Sequence, residues 1–188
     1  MAQFLLIIPS LKLEVLMNAA IFSTTFDSYN IMHIIYAGAV QEIPKEKRKN
    51  AMSHFFRILT RQGAAFCYFK GGETARKARI LLETMMESAK PNQLFRFGSE
   101  IVDVESIISY GRIFRLRDSE DGKSYAFTVI LNTMSERNNQ LSFSFNSEES
   151  AKKARAVLWS IMETFYSNRI NQSSGGKKEG NIMLPAIL

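Results

Sequence analysis

The chain has 188 residues, 46% apolar and 22% charged, with a formal net charge of +6. That balance fits one good-sized globular domain, or two small units sharing a core, and excludes a disordered chain. No apolar run reaches the roughly 18 residues a membrane helix needs, so no membrane partner is expected.

The single cysteine, Cys67, excludes an internal disulfide and fits a reducing cytoplasm. Charge is unevenly placed: residues 18–90 hold 11 Lys and Arg against 6 Asp and Glu, whereas residues 91–170 hold 10 of each. A positive field confined to the first half points to a polyanionic partner.

Residues 1–17 read as an N-terminal extension. Its FLLII run ends at Pro9 and has neither a basic region before it nor a small-residue cleavage site after it, so a signal peptide is not expected. The extension either pairs with a sheet edge or is dispensable, with Met17 as an alternative start.

Strands are predicted near 20–26, 31–42, 52–61 and 64–70, then a helix over 72–89 that ends before Pro91. Between the second and third strands lies PKEKRKN, with Lys45, Lys47, Arg48 and Lys49. This loop is either simply solvated or a finger that contacts phosphates. Strand parity sends His54, Phe56, Ile58, Cys67 and Phe69 toward the helix and Phe55, Arg57, Leu59, Phe66 and Tyr68 outward. Two readings of that outward face stand: an interface with the other half or another subunit, or a platform on which bases stack while Arg57 neutralises phosphate. Both hold together if they occupy different ends of the sheet.

The second half is written more plainly. GSEIVDVESI and YGRIFRLRDS predict two strands, and DSEDGKS a turn. YAFTVIL and LSFSF alternate with period two, as half-buried antiparallel strands do. Asn146 or Ser147 caps a helix whose apolar stripe is Ala151, Ala154, Leu158, Ile161 and Phe165. Arg115, Arg117, Thr128, Ser142 and Ser144 are expected on the outward face. The tail, residues 171–188, has a flexible Ser/Gly/Lys portion and an apolar end from Ile182 to Leu188, which either binds a partner or folds back.

The two halves share a sentence: FKGGETARKARILL at 69–82 and FNSEESAKKARAVL at 145–158, 76 residues apart. Upstream, SHFFRIL (53–59) matches SYAFTVI (124–130), and IIYAG (34–38) matches IISYG (107–111) with one residue inserted. Self-similarity of this kind predicts duplication of one supersecondary unit. The expected fold class is α+β: two tandem ββββα repeats, at 18–90 and 91–170, each an antiparallel sheet covered by a helix, in a pseudo-twofold arrangement.

The tandem pattern resembles the Pur-alpha and Whirly class of single-stranded nucleic-acid-binding proteins, most clearly in GRIFRLRDSEDGKSYAFTVIL (111–131) running on through LSFSFNSEE. The resemblance implies that the sheets carry single-stranded DNA or RNA and that the helices build a core or the interface of a homo-oligomer. The residues expected to bind are Lys45, Lys47, Arg48, Lys49, Phe55, Arg57, Phe66, Tyr68, Arg115 and Arg117. The alternative is a non-catalytic protein-interaction or scaffold module, pleckstrin-homology-like or another β-sheet domain, motivated by the apolar outer face of the first half and the apolar tail.

Nothing in the sequence predicts an enzyme, a cofactor or a metal. His33, His54 and Cys67 lack ligand spacing, and no Cys-x-x-Cys, His-x-x-x-His or phosphate-cradling glycine motif occurs. Gly71-Gly72 reads as a turn before the helix. Asp118, Glu120 and Asp121 read as a solvated turn.

Overall fold

The alternation in HFFRILT and GAAFCYF, and again in YAFTVIL and QLSFSF, produces two long antiparallel pairs that anchor the two sheets. The structure, a computed structural model, describes residues 21–24, 27–117, 122–134 and 139–174. The N-terminal extension, the apolar end of the tail and the acidic residues Asp118, Glu120 and Asp121 lie outside the described residues.

In chain order the elements are β1 (Ile21–Ser23), β2 (Ser28–Asn30), a 3-10 turn (Ile31–His33), β3 (Ile34–Ala37), β4 (Gln41–Glu42), a second 3-10 turn (Lys45–Lys47), β5 (His54–Thr60), β6 (Gly63–Phe69) and α1 (Gly72–Ala89). There follow β7 (Leu94–Phe97), β8 (Glu100–Asp103), a third 3-10 turn (Val104–Ser106), β9 (Ile107–Tyr110), β10 (Phe114–Arg115), β11 (Tyr125–Leu131), β12 (Gln140–Phe145) and α2 (Glu148–Ser174). The protein is α+β, with antiparallel sheets and two helices among the described residues.

Two expectations are corrected. The continuous strands expected at 20–26 and 31–42 are each interrupted. The first stops at Ser23, and β1 pairs with β2 as a hairpin, Thr24 N donating to Asp27 O at 2.7 Å. Asn30 then accepts a hydrogen bond from Met32 N and starts a 3-10 turn, which delays the next strand to Ile34. Second, the sheets do not contain four strands each. The six-stranded sheet gathers β4, β5, β6 and β3 with β7 and β8 from beyond residue 91, because Tyr36 and Ala37 of β3 pair with Val102 and Ile101 of β8. The other sheet holds β9 to β12.

Both faces of the six-stranded sheet are used. On one, α1 lays Ala75, Leu82, Met85 and Met86 over Ile34, Ala37, Phe56, Ile58, Cys67, Phe69 and Ile101. On the other, Ile35, Tyr36, Leu59, Phe95 and Val102 meet Phe127, Val129, Leu141, Phe143 and Phe145, which α2 covers with Ala151, Leu158 and Met162. Burying each of these large side chains contributes roughly 1.5–3 kcal/mol. Ser147 caps α2, its Oγ accepting from Ser150 N at 3.2 Å. The whole predicted stripe of α2, from Ala151 to Phe165, packs on this second core.

Two buried cations tie the sheet together. Arg79 of α1 donates from Nε to Gly38 O (2.8 Å) and from Nη2 to Ala37 O (3.1 Å) and Ser99 O (2.6 Å). These bonds fix the break between β3 and β4. Lys90, at the C-terminal end of α1, donates to Ile34 O (2.7 Å) and Asp103 Oδ2 (2.6 Å).

Candidate nucleic-acid interface

Residues directly opposite across antiparallel strands share a face. The β5–β6 register pairs Phe55 with Tyr68, Arg57 with Phe66 and Leu59 with Ala64, so all six stand on the face away from α1, as parity predicts. That face is divided. At the Leu59 end it is the interface with the second core, where Leu59 is fully buried. At the other end Phe66 and Tyr68 remain 45% and 40% exposed. The interface reading thus holds at the Leu59 end, and the other end is left partly exposed.

The three exposed or half-exposed rings form a cluster. Phe55 lies 5.8 Å from Phe66 and 5.9 Å from Tyr68, centroid to centroid, and Phe66 lies 6.4 Å from Tyr68. All three pairs are tilted, so the rings sit side by side on the sheet. Arg57 is half-buried in the next row.

The basic loop joins at the Tyr68 end. Gln41 and Glu42 of β4 pair with Phe55 and His54, and the chain between β4 and β5 carries the four predicted cations. Lys45, Lys47 and Lys49 are exposed. Arg48 is a brace: its Nη2 meets Glu42 Oε1 at 2.5 Å and its Nε donates to Ile43 O at 3.0 Å. Its charge is thus partly compensated within the loop.

Arg115 and Arg117 do not join this cluster. Between β9 and β10 the pairing with β11 shifts by one residue: Tyr110 opposes Val129, but Phe114 opposes Ala126. A one-residue shift reverses the faces. Arg115 accordingly lies opposite Tyr125, on the helix side, and Phe114 takes the outward position with Ala126 and Ser144. Arg117 is exposed beyond the end of β10. Thr128, Ser142 and Ser144 occupy the expected outer face.

Sequence reasoning missed a polar pair beside the aromatic cluster. Tyr36 Oη donates to Glu100 Oε1 at 3.1 Å. Burial raises the Tyr36 phenol strongly, reinforced by the Glu100 charge and opposed by Arg57 and Arg79. Burial also raises the Glu100 carboxyl, while Tyr36, Lys123 and Arg79 pull it down. The pair was hidden because its two members lie 64 residues apart and belong to opposite sides of the expected boundary at residue 91.

His54 and Cys67 both have structural surroundings. The His54 ring shares its Nδ1 with Ser53 Oγ (2.9 Å) and packs so tightly on α1 that a Cβ on Gly72 would lie 2.7 Å from Nε2. Cys67 is buried in the first core, and burial, with the Asp27 charge, pushes its thiol up to about 12. Among the described residues no group of three or more His, Cys, Asp and Glu side chains is arranged to hold a metal ion. No helix of the described residues is long and apolar enough to cross a membrane. No protein-family model, no curated protein and no solved structure matches this chain.

Proposed function

We infer that the protein binds single-stranded DNA or RNA, with little sequence preference, on the open end of the β5–β6 face. The observation that carries this reading is the exposed ring cluster of Phe55, Phe66 and Tyr68 with Arg57 in its row and a basic loop at its end. Clustered, partly exposed rings offer π-faces that every base can use, and nearby cations attract the phosphates. The role is non-catalytic and cofactor-free, in the cytoplasm.

The architecture belongs to the same reading, as two tandem copies of one unit at 18–90 and 91–170. Matched hydrogen bonds support it. Ser53 N donates to Phe69 O as Ser124 N does to Phe145 O, and Gly38 N donates to Arg57 O as Gly111 N does to Thr128 O. Arg79 Nε donates to Gly38 O as Arg155 Nε does to Gly111 O. Asn30 and Asp103 each accept from the backbone two residues on. The likeness to the Pur-alpha and Whirly class rests on this tandem plan.

The test is fluorescence anisotropy with short labelled single strands at low and moderate salt. Stacking is worth roughly 1–3 kcal/mol per base, so Tyr68→Ala should weaken binding by roughly 5- to 150-fold without lowering thermal stability. Neutralising Lys45, Lys47 and Lys49 should flatten the salt dependence. Absence of binding at micromolar protein in low salt would refute the reading and favour the protein-interaction module.

A further inference from the structure

Two rows of cross-strand neighbours meet at one cleft. On the six-stranded sheet Phe66 lies opposite Arg57, and Gly38 N donates to Arg57 O. Carrying the β3–β8 register one residue past Ala37–Ile101 places Gly38 opposite Glu100, which in turn faces Phe97. The row therefore runs Phe66, Arg57, Gly38, Glu100, Phe97. Because Gly38 has no side chain, the row has a trough. The Tyr36 hydroxyl fills it, 2.9 Å from where a Cβ would stand, and bonds Glu100 there.

On the four-stranded sheet the row is Phe114, Ala126, Ser144. A cleft of about 220 Å³ has Glu100 and Phe97 of the first row on its walls, together with Ser144 of the second row and Lys123. The two rows thus share one polar cleft. An aromatic ring stands at the far end of each, Phe66 at 45% exposure and Phe114 at 43%.

We propose that Phe114 is a second stacking anchor, reached by a single strand that leaves the Phe66 platform and crosses the cleft past Lys123. This rests on the nucleic-acid reading above and extends it to a two-sheet track with a defined length. Adjacent strands are about 4.8 Å apart, so Phe66 to Glu100 spans about 14 Å and Ser144 to Phe114 about 10 Å. At roughly 3.4 Å per stacked nucleotide, about four nucleotides cover the first row, and about ten or more reach Phe114. The cleft between is polar: Lys123 offers an ammonium to a sugar–phosphate segment, partly offset by the neighbouring Glu100, which Tyr36 hydrogen-bonds.

The experiment measures the affinity of the full chain for oligo-dT of about 4 and about 15 nucleotides, lengths within the range one sheet module covers. Phe114→Ala should leave the short strand unaffected and weaken the long one by roughly 5- to 150-fold, the equivalent of one lost stack. Phe114→Tyr keeps a ring at the same place and should retain long-strand affinity. Equal losses on both lengths, no loss on the long strand, or a loss in Phe114→Tyr as large as in Phe114→Ala would each overturn the second anchor. If the unaltered chain binds neither length, the underlying nucleic-acid reading fails, an outcome distinct from a long strand that binds without using Phe114.

Discussion

Lys90 and Asp103 form a buried pair whose removal should be felt throughout the six-stranded sheet. Their side chains are 2% and 3% exposed, with Nζ and Oδ2 2.6 Å apart. Lys90 also donates to Ile34 O, and Asp103 Oδ1 accepts from Glu105 N at 3.0 Å to start the 3-10 turn at Val104–Ser106. One cation thus joins the end of α1, the start of β3 and the end of β8. Removing one partner leaves an uncompensated buried charge, which costs about 3–5 kcal/mol. Lys90→Met strands the carboxylate with only the Glu105 amide, and Asp103→Asn strands the ammonium with the Ile34 carbonyl. With a urea slope of about 2 kcal/mol/M, each variant should lower the unfolding midpoint by roughly 1.5–2.5 M. The double variant Lys90→Met/Asp103→Asn keeps the turn-capping oxygen and removes both charges, so it should cost far less than the two single losses together. Urea unfolding of all four proteins gives the coupling directly. Single losses below about 1 kcal/mol, or strictly additive losses, would refute the assignment of this pair as a buried charge clamp.

Two further outcomes follow from the same structure. Gly38→Ala would place a Cβ 2.9 Å from Tyr36 Oη and 3.4 Å from Arg57 O, so the phenol must leave Glu100 at a cost of about 1–3 kcal/mol. Adding Tyr36→Phe should recover part of that loss in thermal unfolding, and no recovery would show the clash lies elsewhere. Cys67 ionises near 9 when unfolded but only at about 12 in the fold, because burial disfavours the thiolate. Its contribution is whole below pH 9 and is lost as pH rises toward 12, the native state holding the proton longer. The urea midpoint should fall more steeply between pH 9 and 11 for the natural chain than for Cys67→Val, and parallel curves would contradict the shift.

Where the sequence could be read, it was read through local periodicity. The helix at 72–89, the strand at 125–131 and the inward set Phe56, Ile58, Cys67 and Phe69 follow from spacing alone, since each depends on neighbours within a few residues. The exposed rings were legible for the same reason: one strand's parity fixes Phe66 and Tyr68 together. What escaped were events that reset parity or joined distant segments. One extra residue between Tyr110 and Phe114 exchanged the faces of Phe114 and Arg115. The hairpin at 94–103 pairs with β3, more than sixty residues earlier in the chain, so the sheet closed across the expected boundary. No local pattern announces such a pairing, because β8 has the same apolar character whichever strand it meets.

The outward positions of the two sheets are the strongest physical reason to expect a ligand. Inward, three of four equivalent places hold residues of like size, Phe56 and Phe127, Ile58 and Val129, Phe69 and Phe145, while Cys67 stands where Phe143 does, and every one of them is buried. A packed core imposes that likeness, since a change of volume there is costly. Outward, Phe55, Arg57, Phe66 and Tyr68 stand where the other sheet has Ala126, Thr128, Ser142 and Ser144. Ala126 is buried, but Thr128, Ser142 and Ser144 suit water where exposed rings gain nothing from it, and contiguous exposed apolar patches mark interaction sites. The second core cannot account for the difference either, because its contacts stop at Leu59 and Tyr36, short of Phe66 and Tyr68. An adjoining loop bearing Lys45, Lys47 and Lys49 narrows the choice, since cations attract phosphates but add little to a purely apolar protein contact. Rings with cations beside them, at the open end of that face, are the ground on which we propose a polyanion with stacking groups rather than an apolar partner.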